Sequence, residues 1–217
     1  MNKQQSHCLA ALGIPIWQLR KTEEKTEPLL DWDRLQQAVT HCTACSLHHG
    51  RTQTVFGVGN RQADLMIIGE APGFYEDQQG EPFVGRAGQL LTAMLKAIQR
   101  ERSQVYIANI LKCRPPQNRD PQPEEVAQCT PFLDRQIALI QPKLLVAVGR
   151  IAAHYLLNTK QALSQLRGHI YHYGHKKIPL IITYHPAYLL RNPRDKAQAW
   201  QDWLFVKGQL LASDVVA

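Results

Sequence analysis

The sequence predicts an α/β fold: three layers, α/β/α, with helices on both faces of a central, mainly parallel four-stranded sheet, in a single domain. Four short apolar runs rich in Val and Ile recur along the chain at 64–68, 105–110, 143–148 and 178–183, bounded by Gly, Pro or Asn. Segments with helical spacing separate them, and strand–helix alternation of this kind buries a parallel sheet between helical layers. A chain of 217 residues with no Ser/Gly-rich linker and no break in composition after the first thirty or so residues suits one sizeable core.

In chain order, residues 1–30 form a polar leader that ends in the charged run 20–27 and is expected to be flexible, leaving 31–217 as the folded domain. A short helix is expected at 32–39. The first strand, 64–68, opens onto GEAPGFYEDQQGEPFVGRAGQLL at 69–91, and helical spacing resumes at 88–100. The segment 123–140 begins with Pro and carries Glu124 and Glu125 in its first turn, both favoured at a helix N-terminus. A fourth helix is expected at 150–157. Segments 169–173 and 176–180 flank Gly174, which predicts a local hairpin before the last strand.

Lys and Arg number 25 against 18 Asp and Glu, and the net charge of +7 suits a polyanionic partner. No signal-peptide pattern and no run of about 18 apolar residues occurs, so a cytoplasmic location without membrane association is expected. In that compartment the five cysteines are better read as metal ligands or redox groups than as disulfides. Cys42 and Cys45 form a CxxC pair ahead of the sheet, while Cys113 and Cys129 flank the loop RPPQNRDPQP. Four thiolates hold tetrahedral zinc or a 4Fe-4S cluster equally well on spacing alone, and Cys113 and Cys129 also suit buried core thiols. A thioredoxin-like redox pair fits less well, because CTAC precedes the first strand. Cys8 stands alone in the leader.

The segment 69–91 places acids and permissive glycines where a strand ends, the position at which open α/β sheets bind ligands. A glycine-rich turn opening a helix also offers unpaired N–H groups to an anion.

The combination of CTAC, GEAPGFYEDQQGEPFVGRAGQLL, YIANILKCRPPQNRDP, the cysteine at 129 and TYHPAYLLR resembles family 4 of the uracil-DNA glycosylases, the thermophile-type iron–sulfur branch. The match runs in consistent order from near Leu35 to the end of the chain and leaves the leader uncovered. The resemblance implies a base-excision-repair enzyme that flips uracil out of DNA, hydrolyses its N-glycosidic bond and leaves an abasic site. It also implies uracil-containing DNA as partner and a 4Fe-4S cluster on Cys42, Cys45, Cys113 and Cys129. A monomer is expected.

By the same resemblance Phe83 stacks on the base, Asn109 reads its O4 and N3–H edge, and His185 donates to O2 as charge develops on the leaving base. Each has a plainer reading: core packing, a strand-end cap and a structural histidine. Relatives with a GQDPYH motif carry a water-positioning aspartate where this chain has Ala71 and a thymine-excluding tyrosine where it has Gly73. With both side chains missing, Glu70 and Glu76 become the catalytic candidates. Glu76 is expected to wall the pocket near uracil C5, and the backbone of 70–73 to line the substrate. DNA contacts are expected from Tyr188, Leu189, Leu190 and Arg191, as an apolar wedge with a cationic flank, and from Arg86 at a helix start. Ala187 replaces a serine common in the family, and Phe74 and Tyr75 are bulkier than usual there.

Three other readings compete. A non-enzymatic iron–sulfur protein that binds DNA or senses redox state keeps the cysteines but needs no Phe83, Asn109 and His185 together. A branch that traps uracil covalently through a loop histidine is disfavoured, because 112–121 has no His. A nucleotide-binding α/β protein lacks its GxGxxG or P-loop pattern.

Overall fold

A computed structural model describes residues 31–215, so the expected leader and Cys8 lie outside the described residues. The strands are β1 (Val58–Gly59), β2 (Leu65–Gly69), β3 (Tyr106–Asn109), β4 (Leu144–Val148), β5 (Ile170–Tyr173) and β6 (Ile178–Thr183). They form one sheet of order β1-β3-β2-β4-β6-β5. The four apolar runs become β2, β3, β4 and β6, which pair in parallel, and β2, β3 and β4 are buried at every position.

The described sheet has six strands rather than four. The antiparallel β1 has only two residues, too few to show a period, and is held to β3 by pairing of Val58 with Ile107. The antiparallel edge strand β5 completes the hairpin around Gly174. Its positions alternate between exposed and half-buried, so it lacks the apolar run that marks a central strand.

The helices are α1 (Trp32–Thr40), α2 (Phe74–Gln79), α3 (Arg86–Ala97), α4 (Pro123–Ile140), α5 (Arg150–Leu157), α6 (Leu163–Leu166), α7 (Pro186–Arg191) and α8 (Lys196–Val215). α4 and α5 occupy the expected ranges. Alternate residues of each central strand face opposite cores. Met66, Ile68, Leu145 and Ala147 meet Leu133 and Ile137 of α4 and Ala152 of α5. On the other face, Leu65, Ile67, Val146 and Ile181 meet Leu91 and Leu95 of α3 and Trp203 and Val206 of α8.

From β2 the chain steps to β3 on one side, then crosses back to place β4 on the other. That reversal opens a crevice beyond the carboxyl ends of β2 and β4, where the loops diverge. Among the described residues no helix is long and apolar enough to cross a membrane.

Candidate active site

The crevice holds a cavity of about 490 Å³. Glu70, Ala71 and Gly73 reach it from the end of β2, Asn109 from β3, Arg150 from the start of α5, and His185 from the end of β6. Phe83 and Glu76 line it from the long loop after β2, and Tyr188 and Arg191 from α7.

Phe83 is buried and has φ of 56°, the left-handed region that a bulky side chain enters only under constraint. Three contacts supply the constraint. Glu76 Oε1 accepts the backbone N–H groups of Val84 at 3.1 Å and Gly85 at 3.3 Å. Arg102 Nη2 donates to the Pro82 carbonyl at 3.0 Å. Gly88 lies so close beneath the loop that a Cβ there would stand 1.6 Å from the Phe83 carbonyl oxygen. The ring is thereby held facing His185, with centroids 5.6 Å apart and an interplanar angle of 30°.

Asn109 is 2% exposed, and its Oδ1 is buried without a hydrogen-bond partner. An unpaired buried acceptor costs about 1–3 kcal/mol, which a ligand N–H would recover. Gly69 makes the arrangement sterically feasible, since a Cβ at that position would lie 2.3 Å from Asn109 Oδ1 and 2.8 Å from Phe83 Cζ.

The tautomer of His185 follows from its position at the N-cap of α7. Its Nδ1 accepts the Ala187 N–H at 3.1 Å, so the neutral ring carries its proton on Nε2. Burial, helped by the Arg191 charge, lowers its pKa to about 4 and keeps the ring neutral at ordinary pH. A buried clamp positions the end of β6: Thr183 Oγ1 donates to Asp202 Oδ2 at 2.7 Å, and Arg167 Nε donates to the same oxygen at 2.7 Å. Arg167 Nη2 also reaches Asp202 Oδ1 at 3.0 Å.

Burial raises Glu70 to about 7, Asp120 pushing the same way and Arg150 opposing. Arg150 Nη2 in turn pairs with Asp120 Oδ2 at 2.9 Å. Arg119, Asp120 and Arg150 all line the cavity, and the sequence reading assigned none of them to the site, although Arg119 and Asp120 lie in the loop RPPQNRDPQP. Its mixture of charge and turn residues was the available signal. Arg119 makes a two-pronged pair with Glu125, Nη1 donating to Oε2 at 2.9 Å, and those bonds hold the Glu125 carboxyl below its usual range.

Two expectations about DNA-facing residues need correction. Leu189 is fully buried, so the wedge of three apolar residues loses its middle member, and Leu190 lies outside the cavity lining. At the start of α3 the N–H groups of Val84 and Gly85 are already taken by Glu76, so the anion cradle is partly filled by the protein's own carboxylate. Arg86 is exposed at the first position of that helix, outside the cavity lining.

Cys42, Cys45, Cys113 and Cys129 line one further small cavity. Arg51 Nη1 donates to Cys113 Sγ at 3.1 Å and the Lys112 N–H to Cys129 Sγ at 3.2 Å, contacts that favour thiolates. Burial pushes Cys113 up and Cys129 up to about 11, and these neighbours pull the other way. Among the described residues no three His, Cys, Asp or Glu side chains converge closely enough for a single metal ion. Beside this cavity Lys112 is 1% exposed, and its Nζ donates to the Asn109 carbonyl at 2.8 Å and to Gln136 Oε1 at 2.7 Å. One residue therefore touches both a cysteine ligand candidate and the strand end that carries Asn109.

Residues 56–204 match the family model described as the uracil DNA glycosylase superfamily. The chain belongs to that superfamily. It is 44% identical over 177 residues to the type-4 uracil-DNA glycosylase of Archaeoglobus fulgidus, covering 79% of this chain and 89% of that protein. The type-4 uracil-DNA glycosylase of Thermotoga maritima is 47% identical over 160 residues, covering 73% of this chain and 82% of that protein. A type-5 uracil-DNA glycosylase of Pyrobaculum aerophilum is 28% identical over 144 residues. Within this uracil-DNA glycosylase superfamily member, the matched residues span every strand and all the residues named above around the main cavity.

Proposed function

We propose that this protein, acting as a monomer, excises uracil from DNA by hydrolysing the N-glycosidic bond of a flipped nucleotide. The observation that carries the reading is the unpartnered, buried Asn109 Oδ1 in the same cavity as the free Nε2–H of a neutral His185. Asn109 offers an acceptor for uracil N3–H and, through Nδ2, a donor for O4; cytosine presents the opposite pattern at those two positions.

Phe83 holds the base by its face. His185 Nε2–H donates to O2 as negative charge grows on the departing base, and because the ring is neutral it stabilises that charge without first giving up a proton. Loss of one such donor costs on the order of 100- to 1,000-fold. The sugar becomes cation-like as the bond breaks, and ionised Glu70 supplies negative charge beside it and an acceptor for the attacking water.

We assign Cys42, Cys45, Cys113 and Cys129 to a 4Fe-4S cluster. The set fits: four thiols line one cavity, and two of them accept hydrogen bonds. When bound, the cluster ties the segment before the sheet to the loop after β3 and to α4. The residues of the chain perform the reaction.

Incubation with a uracil-containing oligonucleotide followed by alkaline cleavage tests the activity. Strand scission at uracil, and none at cytosine in the same sequence, is expected. No product from either single- or double-stranded uracil DNA would overturn the assignment.

A further inference from the structure

Two large rings stand in solvent beside the cavity. Phe74 is 52% exposed and Tyr75 62% exposed, and they pack edge to face with centroids 5.5 Å apart. They occupy the first turn of α2, between Gly73 and Glu76, both of which line the pocket. The Arg114 guanidinium lies over the Phe74 ring at 5.0 Å, and Arg114 Nε donates to Asn118 Oδ1 of the pocket rim at 2.8 Å. Neither ring supports the core, and α2 is anchored from its buried side, where both Asp77 carboxylate oxygens accept the Thr52 N–H at 3.0 and 3.1 Å. A rigid turn thus presents two aromatic faces and a cation at the mouth of a base-binding cavity.

We propose that Phe74, Tyr75 and Arg114 form a stacking platform for unpaired bases of the strand that carries the target nucleotide, so that this chain favours uracil in single-stranded or opened DNA. This rests on the uracil-excision reading for the identity of the ligand. Aromatic rings that accept any base face, joined to a cation that follows the backbone, are the means by which proteins hold single strands without reading sequence. A closed duplex hides its base faces and leaves the rings unpartnered. The platform is continuous with the pocket through Gly73 and Glu76, so a strand with one base in the cavity passes its neighbours across the rings.

The test uses the full chain and DNA without uracil, which separates it from catalysis. Binding of a single-stranded oligonucleotide and of a blunt duplex of the same sequence is compared at fixed salt for the parent, Phe74→Ala/Tyr75→Ala and Phe74→Leu/Tyr75→Leu. Stacking predicts single-strand affinity lower by about tenfold per ring in both variants, against about twofold or less on the duplex. The rate at saturating single-stranded uracil substrate stays at the parental value.

Equal losses on both DNAs, or none on either, would overturn the platform. Retention of affinity by the leucine pair would reduce the rings to general apolar surface and overturn it too. A parental dimer seen by light scattering and abolished by the alanine pair would assign the rings to a second copy instead. Failure of the excision reading shows separately, as missing scission with single-strand binding intact.

Discussion

Glu70 and Glu76 both follow β2, and their surroundings give them different work. Glu76 spends Oε1 on the N–H groups of Val84 and Gly85 and so holds the turn that strains Phe83. Glu76→Gln keeps an acceptor and should stay near parental kcat/KM, whereas Glu76→Ala should lose about tenfold or more, the size of a charge-assisted hydrogen bond. Thymine excision by either variant would move Glu76 back to the wall near C5. Glu70 keeps its carboxyl toward the cavity, where burial raises it to about 7. A raised acid is protonated below its pKa, so kcat/KM should fall as pH drops from 8 to 6. Glu70→Gln should flatten that slope and reduce the rate by about 100-fold. His185 adds no slope in this window, because its pKa is lowered to about 4 and it stays neutral throughout. A pH–rate profile of the two proteins checks both statements.

Among the elements, α3 carries the tightest constraint on the site. Gly88→Ala would drive a Cβ to within 1.6 Å of the Phe83 carbonyl, and the loop must move. Excision should fall by more than about 100-fold, with a stability loss of roughly 2 kcal/mol or more in denaturant unfolding, both traceable to displacement of the Phe83 ring. Sequence reasoning recovered β2, β3, β4 and β6 as continuous apolar runs, α1, α3, α4 and α5 from one buried stripe each, and β5 from the turn at Gly174. α8 escaped because its apolar residues lie on both sides: Trp203 and Val206 are buried while Trp200, Leu204 and Leu211 are exposed. α2 is only six residues long, too short to show a helical period. The same division holds in the site. Phe83, Asn109 and His185 are legible because each belongs to a motif, whereas Arg102, Asp202 and the Arg150–Asp120 pair act across distances of sequence that carry no pattern.

In the molecule as a whole, the cysteine cavity and the base pocket are joined through Lys112. This fully buried cation holds the Asn109 carbonyl by its Nζ and Cys129 by its N–H. Lys112→Met keeps most of the volume and removes the hold on Asn109. Discrimination of uracil from cytosine should weaken, while the visible iron–sulfur absorption stays at the parental level. Chelation of iron from the proposed cluster should act from the other end, lowering the melting temperature and excision together. Lys112→Met protein with parental selectivity would uncouple the two regions. Because the link consists of one hydrogen bond from Lys112 Nζ to the Asn109 carbonyl and one from the Lys112 N–H to Cys129 Sγ, loss of the proposed cluster should be felt at the strand end. The excision rate at fixed protein concentration should then scale with the iron content of the preparation, so that iron per chain counts competent molecules.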